Sequence, residues 1–206
     1  MQSKEPSQSV SEQLRSVMRL LTNPVVVCTS RDTRGLSDND DDPSRTPSTP
    51  RAMTMSSFTS LSLSPTPLVT FNVATPSRTL DAVRSSGEFN VHVLAGEESG
   101  ALVAENFTRG NTDDVFDRLI GAKCKNTTTG GGLEPPILEG DGVLYVLRCR
   151  VAMDQAPEGG LIPVRDHVIV VGEVLEVVPG SRIGDGFGLA YADRSYRAAG
   201  AVIAKH

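Results

Sequence analysis

Ser77, Arg78 and Thr79 follow Pro76 and precede the apolar pair Leu80 and Val83, so Ser77 stands where a helix N-cap belongs. The first turn of a helix presents amides without acceptors and a partial positive charge. A serine, an arginine and a threonine there could seat a phosphate. The same residues also suit a plain cap with its arginine in water, which is the commoner use of such a turn. What favours an anion is the run just upstream, where Ser56, Ser57, Thr59 and Ser60 crowd one turn-like stretch with more hydroxyls and amides than a hairpin needs. Within residues 51–84 no acidic side chain precedes Asp81.

Two other places carry chemistry-bearing side chains. Arg165-Asp166-His167 enters an apolar run, where a lone histidine is more often a structural hydrogen-bonder than a catalyst. LAYADRSYRAAG near the C-terminus holds Tyr191, Tyr196 and Arg197. Motifs for a protein nucleophile or a hydrolytic metal are missing: there is no GxSxG, HExxH or Cys–His pattern. TTTGGG at 127–132 reads as a flexible loop without a phosphate-binding fingerprint, because no GK[ST] or GxGxxG follows it. Cys28, Cys124 and Cys149 are odd in number, widely spaced and without a CxxC pair, which argues against a disulfide framework or zinc site and for a reducing intracellular compartment. Cys28 and Cys149 sit in apolar runs as small buried hydrophobes. His92, His167 and His206 are too scattered to suggest a metal cluster.

The chain has 206 residues, enough for one domain with a substantial core. Its 20 basic and 25 acidic residues leave a net charge of −5, which disfavours nucleic acid or an anionic membrane as the main partner. No 18-residue apolar run exists, so no segment is expected to span a bilayer. No secretory or transit signal follows Met1, which suggests the cytoplasm, with the mitochondrion as the alternative.

These side chains need elements to position them. Residues 1–8 are polar and read as a disordered N-terminus, followed by one domain over 9–206. Ser9 and Glu12 have capping-box spacing, and Leu14, Val17, Met18 and Leu21 recur at helical intervals, so an amphipathic helix is expected to pack against the body of the fold. VVVCTS after Pro24 is apolar throughout and reads as a strand buried on both faces. Residues 31–50 turn abruptly to Asp, Ser, Thr, Pro and Arg, a flexible surface loop within the domain. Its DNDDD at 38–42 lacks the glycine and terminal glutamate of a calcium loop and is expected to be solvated.

Residues 52–58 have strand character, and the stretch after them stops at Pro65 and Pro67. Residues 68–73 alternate as a half-buried strand. Ser77 then caps a helix that Gly87 ends, and 89–94 alternates as a strand. Residues 97–107 and 113–120 read as helices, with Leu102, Val103 and Phe107 apolar in the first. Residues 143–153 and 167–178 read as long strands and antiparallel neighbours, separated by APEGG. With few βαβ units, this order favours a mainly β fold: antiparallel strands closing into a small barrel with peripheral helices.

MTMSSFTSLSLSPTPLVTFNV, then SRTLDAVRSSGEFNVHVL, then DHVIVVGEV resemble, in that order, the flavin reductase family with its FMN-binding split barrel. The likeness runs from about Leu14 to Tyr196. It implies a Greek-key split β-barrel in which Thr54, Met55, Ser56 and Ser57 face the polar edge of the flavin ring while Ser77, Arg78 and Thr79 hold its phosphate. His167 would stand at the reacting edge as the catalytic histidine. With Tyr191 or Tyr196 it would line the slot for NADH or NADPH. Asn106-Phe107 falls in a segment that lies near the flavin in this family, although packing is the more natural use of Phe107. The cofactor implied is FMN, with FAD as the alternative, and no metal. The resemblance further implies a homodimer and, as a possible partner, a flavin-dependent monooxygenase supplied with reduced flavin. The loop at 31–50 is longer than is usual in the family.

A flavin reductase needs little from protein side chains, because the ring takes up the hydride and the protein supplies placement and electrostatics. That agrees with the lack of a nucleophile motif. Two readings compete with it. One is a split-barrel protein that binds FMN without NAD(P)H reductase activity, as a flavin store or electron carrier. The other is an oxidase related to the pyridoxamine-phosphate oxidases, which requires a second phosphate site; the sequence offers no second basic, hydroxyl-rich cluster.

Overall fold

A computed structural model describes residues 8–34, 48–108, 134–154, 159–181 and 186–203. The expected disorder at residues 1–7, most of the 31–50 loop with DNDDD, the helix at 113–120, the TTTGGG loop, Cys124 and His206 lie outside the described residues.

The chain opens with helix α1 (Val10–Met18), where Ser9 and Glu12 form the capping box reciprocally. A two-residue strand β1 (Asn23–Pro24) leads into β2 (Val26–Asp32), β3 (Thr49–Met55), β4 (Thr59–Ser62) and β5 (Leu68–Ala74). Helix α2 (Arg78–Ser86) comes next. Ser77 caps its start, and Gly87 at φ 72° closes it in the left-handed conformation that glycine adopts without a Cβ clash. Then come β6 (Glu88–Leu94), α3 (Glu98–Asn106), β7 (Val143–Val151), β8 (Leu161–Val164), β9 (His167–Pro179), β10 (Ala190–Ala192) and β11 (Ser195–Arg197).

The main sheet has eight antiparallel strands in the order β3-β2-β6-β7-β9-β5-β4, with β8 paired to β9 off that path. Laid flat, seven neighbours would hold β3 and β4 roughly 29 Å apart. Yet β3 ends at Met55 and β4 begins at Thr59, a reach of about 15 Å at most. The sheet therefore curls until its two edges approach across Ser56–Phe58, without backbone pairing between β3 and β4 among the described residues. The mainly β architecture expected from the sequence is the one observed. A hydrogen-bonded closed barrel is not.

Burial explains the sequence patterns. Along β2 and the residue before it, Val26 and Cys28 enter one core with Phe71, Leu80, Phe89 and Val170, while Val25 and Val27 enter a second with Phe107, Val143, Val146 and Leu189. Alternate residues serve two cores, so the run is apolar without a break. Helix α2 seals the first core with Leu80 and Val83, and Phe71 meets Phe89 edge to face at 5.5 Å. Gly172, the glycine of the GEV run, admits that ring: a Cβ there would stand 2.3 Å from Phe89 Cζ.

Several expectations need correction. Thr59 and Ser60 belong to β4, paired with β5, and not to a turn; only Ser56 and Ser57 turn. Strand β6 is buried on both faces, Phe89 and Val91 in the first core, Leu94 in the second, and Asn90 and His92 bonded to Pro135 and Leu138, so it does not alternate. Leu102 points outward, while Val103 and Phe107 are buried. Strands β8, β10 and β11 are only three or four residues long, and β8 carries Pro163, so no alternation could develop to signal a strand. Helix α1 has the expected period, but none of its residues is buried: Leu14 is 59% and Val17 56% exposed. Among the described residues, its apolar face enters neither core.

Candidate functional site

Three connections converge at one end of the curled sheet. The turn after β3 carries Ser56 and Ser57. Ser57 Oγ accepts from the Asn72 amide at 2.9 Å and donates to the Asn72 carbonyl at 3.2 Å, fastening the turn to β5. The loop from β5 to α2 carries Thr75, whose amide and hydroxyl both donate to the Asp166 carbonyl, at 2.8 and 3.1 Å. Asp166 lies in the two-residue β8–β9 turn, where Arg165 has φ 54°, and β9 begins at His167 opposite Ala74. Pairing and hydrogen bonding thus draw residues 54–57, 77–79 and 167 together from distant parts of the sequence.

They line one cavity of about 590 Å³, within the range of small-molecule sites. All seven residues expected to contact a cofactor, Thr54, Met55, Ser56, Ser57, Ser77, Arg78 and Thr79, border it, as does His167. Their chemistry is divided differently from the simple expectation. Several hydroxyls are committed inside the protein: Thr54 Oγ1 donates to the Ala104 carbonyl, Thr79 Oγ1 to the Ala52 carbonyl at 3.1 Å, and Ser77 Oγ accepts from the Leu80 amide at 3.2 Å. The Thr54 amide likewise donates to Phe107. Met55 packs its side chain into the first core. What remains for a ligand is the exposed Ser56, the first-turn amides of Arg78 and Thr79, which have no acceptor within the helix, and the Arg78 guanidinium. That guanidinium is exposed and has no partner among the described residues.

His167 stands at the cavity rim with its side chain 47% exposed, and its Nδ1 is 3.0 Å from Asp166 Oδ1. The hydrogen bond from the imidazole holds the Asp166 carboxyl below its ordinary pKa. With Nδ1 turned to Asp166, Nε2 is the nitrogen left for a ligand.

The two tyrosines do not join His167. Tyr191 and Tyr196 face each other across β10 and β11, edge to face at 5.6 Å, and line a second cavity of about 650 Å³. It shares Thr54, Met55, Ser56 and Thr108 with the first. Tyr196 Oη donates to Glu105 Oε2 at 3.3 Å; burial, then the neighbouring carboxylate, pushes the phenol up to about 12. Sequence reasoning missed Thr108, Glu105, Arg194 and Ser195 in these walls. For Arg194 a signal existed: Asp193-Arg194 between two tyrosines is a hairpin turn, and both residues have positive φ. For Glu105 there was none, since a glutamate near a helix end is ordinarily a solvated charge.

Comparison with known proteins bears on this geometry. An NADH:FMN oxidoreductase of Rhodococcus qingshengii is 35% identical over 128 residues, 62% of this chain and 57% of that protein, so the match spans less than two thirds of the relative's length. Among solved structures, the NADH:FAD oxidoreductase of Streptomyces globisporus C-1027 in complex with NAD and FAD fragments aligns at 25% identity and a TM-score of 0.61, covering 93% of each chain. Nitrilotriacetate monooxygenase component B from Mycobacterium thermoresistibile shares the fold at 22% identity and a TM-score of 0.65, over 95% of this chain and 92% of that one. The family model of the flavin reductase like domain matches residues 18–200, and the chain belongs to that family.

Proposed function

We propose that this protein is an NAD(P)H-dependent flavin reductase that binds FMN in the first cavity, takes NADH as hydride donor, and can pass reduced flavin to a separate monooxygenase. The observation that carries the reading is the convergence of all seven cofactor-facing residues and His167 on one cavity. The donor set fits a flavin mononucleotide. Amides at the start of α2 without an acceptor in the helix, and an arginine with no partner among the described residues, suit a phosphate dianion, and the exposed turn at Ser56 offers a polar edge 21 residues before Ser77 in sequence but lining the same cavity. Bound flavin supplies the redox chemistry at its ring. The chain's own part is placement: Arg78 and the α2 amides hold the phosphate, the 54–57 turn aligns the ring, and His167, oriented by Asp166, presents Nε2 to the nicotinamide carboxamide.

The 35% identical relative is named for NADH and FMN, the two ligands adopted in this reading. The protein works as a homodimer, which gives the exposed apolar face of α1 a partner surface. The test is anaerobic addition of NADH to the FMN-loaded protein. The flavin's visible absorption should bleach; a band that persists leaves a flavin-binding protein without reductase activity.

A further inference from the structure

We infer that the second cavity receives the adenosine-diphosphate half of the hydride donor, and that Glu105, holding the ribose diol there, selects NADH against NADPH. This rests on the reading of the first cavity as the flavin site. The two cavities meet along Thr54, Met55, Ser56 and Thr108, while Ser77, Arg78 and Thr79 border the first alone. The second cavity therefore adjoins the end assigned to the ring and not the end assigned to the phosphate. An adenylate attached to the flavin itself would leave from the phosphate end and depart in the wrong direction. A molecule that must react at the ring approaches from the second cavity.

Its lining matches the non-reacting half of a nicotinamide dinucleotide part by part. A ring of the edge-to-face pair Tyr191 and Tyr196 offers an aromatic face for a base to stack on. Arg194, at the tip of the β10–β11 turn, offers a guanidinium to a pyrophosphate. Glu105 is fixed by the hydrogen bond from Tyr196 through Oε2, which leaves Oε1 to accept from ribose hydroxyls. A 2′-phosphate in that position would face a carboxylate and the negative end of α3 together, two repulsive terms against one cation already engaged with pyrophosphate.

ADP-ribose and its 2′-phosphorylated form, which lack nicotinamide, are the probes. Titration calorimetry on the FMN-loaded protein should show ADP-ribose binding without flavin release and roughly tenfold more tightly than the 2′-phosphate form, the size expected of one direct like-charge contact near the surface. Glu105→Gln, an exchange at an exposed position, should bring the two affinities to within about threefold, and Tyr196→Phe should narrow the gap partway by freeing the carboxylate. Release of FMN by ADP-ribose, equal affinity for both probes, or undiminished discrimination in Glu105→Gln would each overturn the inference. Failure of NADH to bleach the flavin strikes the reductase reading instead, so the two failures are distinguishable.

Discussion

Arg78 carries a positive charge that no described carboxylate neutralises, beside two amides that the helix leaves open. If a phosphate is its partner, Arg78→Ala removes a charge-assisted bond of about 1.5 kcal/mol, taken at the low end because the side chain is exposed, and FMN should dissociate roughly tenfold more readily. Equilibrium dialysis reads this directly; unchanged retention would move the phosphate elsewhere. His167 should behave in the opposite way. Its half-exposed side chain stands at the cavity rim and hydrogen-bonds only Asp166 among the described residues, so His167→Ala should leave FMN bound and slow anaerobic flavin reduction by about tenfold or more, the scale of a positioning contact. Stopped-flow reduction at saturating NADH separates the two: an unaltered rate returns this histidine to a surface turn.

At the scale of elements, a buried polar row decides how the segment before β7 is held. Residues 135–138 form no strand, and two of them are prolines. The Pro135 and Pro136 carbonyls accept from Asn90, that of Pro136 also from Thr29, and the Leu138 amide donates to His92 Nε2 at 2.9 Å. With Nε2 accepting, Nδ1 carries the proton and donates to the Val27 carbonyl at 3.1 Å, so the ring is neutral. Burial lowers its pKa from 6.5 to about 4. Between those values the unfolded chain binds a proton that the folded chain refuses, so stability is full above pH 6.5 and falls as the pH drops towards 4, by up to about 3 kcal/mol. Urea midpoints measured across that window should decline, and His92→Gln, though less stable at neutral pH, should show a shallower decline. Equal slopes would assign the acid sensitivity to other groups. None of this row was legible in the sequence, where His92 reads as one residue of a strand: its partners lie 65 and 46 residues away. What was legible is local. The Ser9 box, the Ser77 cap and the Gly87 stop are written in neighbouring residues, whereas β8, β10 and β11 exist because β9 and β1 lie beside them. The site divides likewise, since α2 and its cap announced Arg78 while Glu105 acquires a role through Tyr196, 91 residues on.

For the whole molecule, curling the sheet until β3 and β4 approach consumes the chain's apolar residues in two cores, and α1 is left outside both. Val10, Leu14, Val17, Met18 and Leu21 all keep half or nearly half of their surface in water, a stripe that a lone barrel has no reason to preserve at helical spacing. Elsewhere on the surface, Leu175 and Val177 of β9 and Tyr145 of β7 are also exposed. The homodimer proposed above would give this stripe a second copy to pack on. Sedimentation equilibrium should then give about twice the 21.9 kDa of the chain. Leu14→Glu with Val17→Glu places two charges on the stripe without touching either core, so the variant should sediment as a folded monomer, with its far-ultraviolet dichroism retained. A wild-type protein that sediments as one chain, or a double variant that remains dimeric, would mean that α1 does not form the contact between subunits.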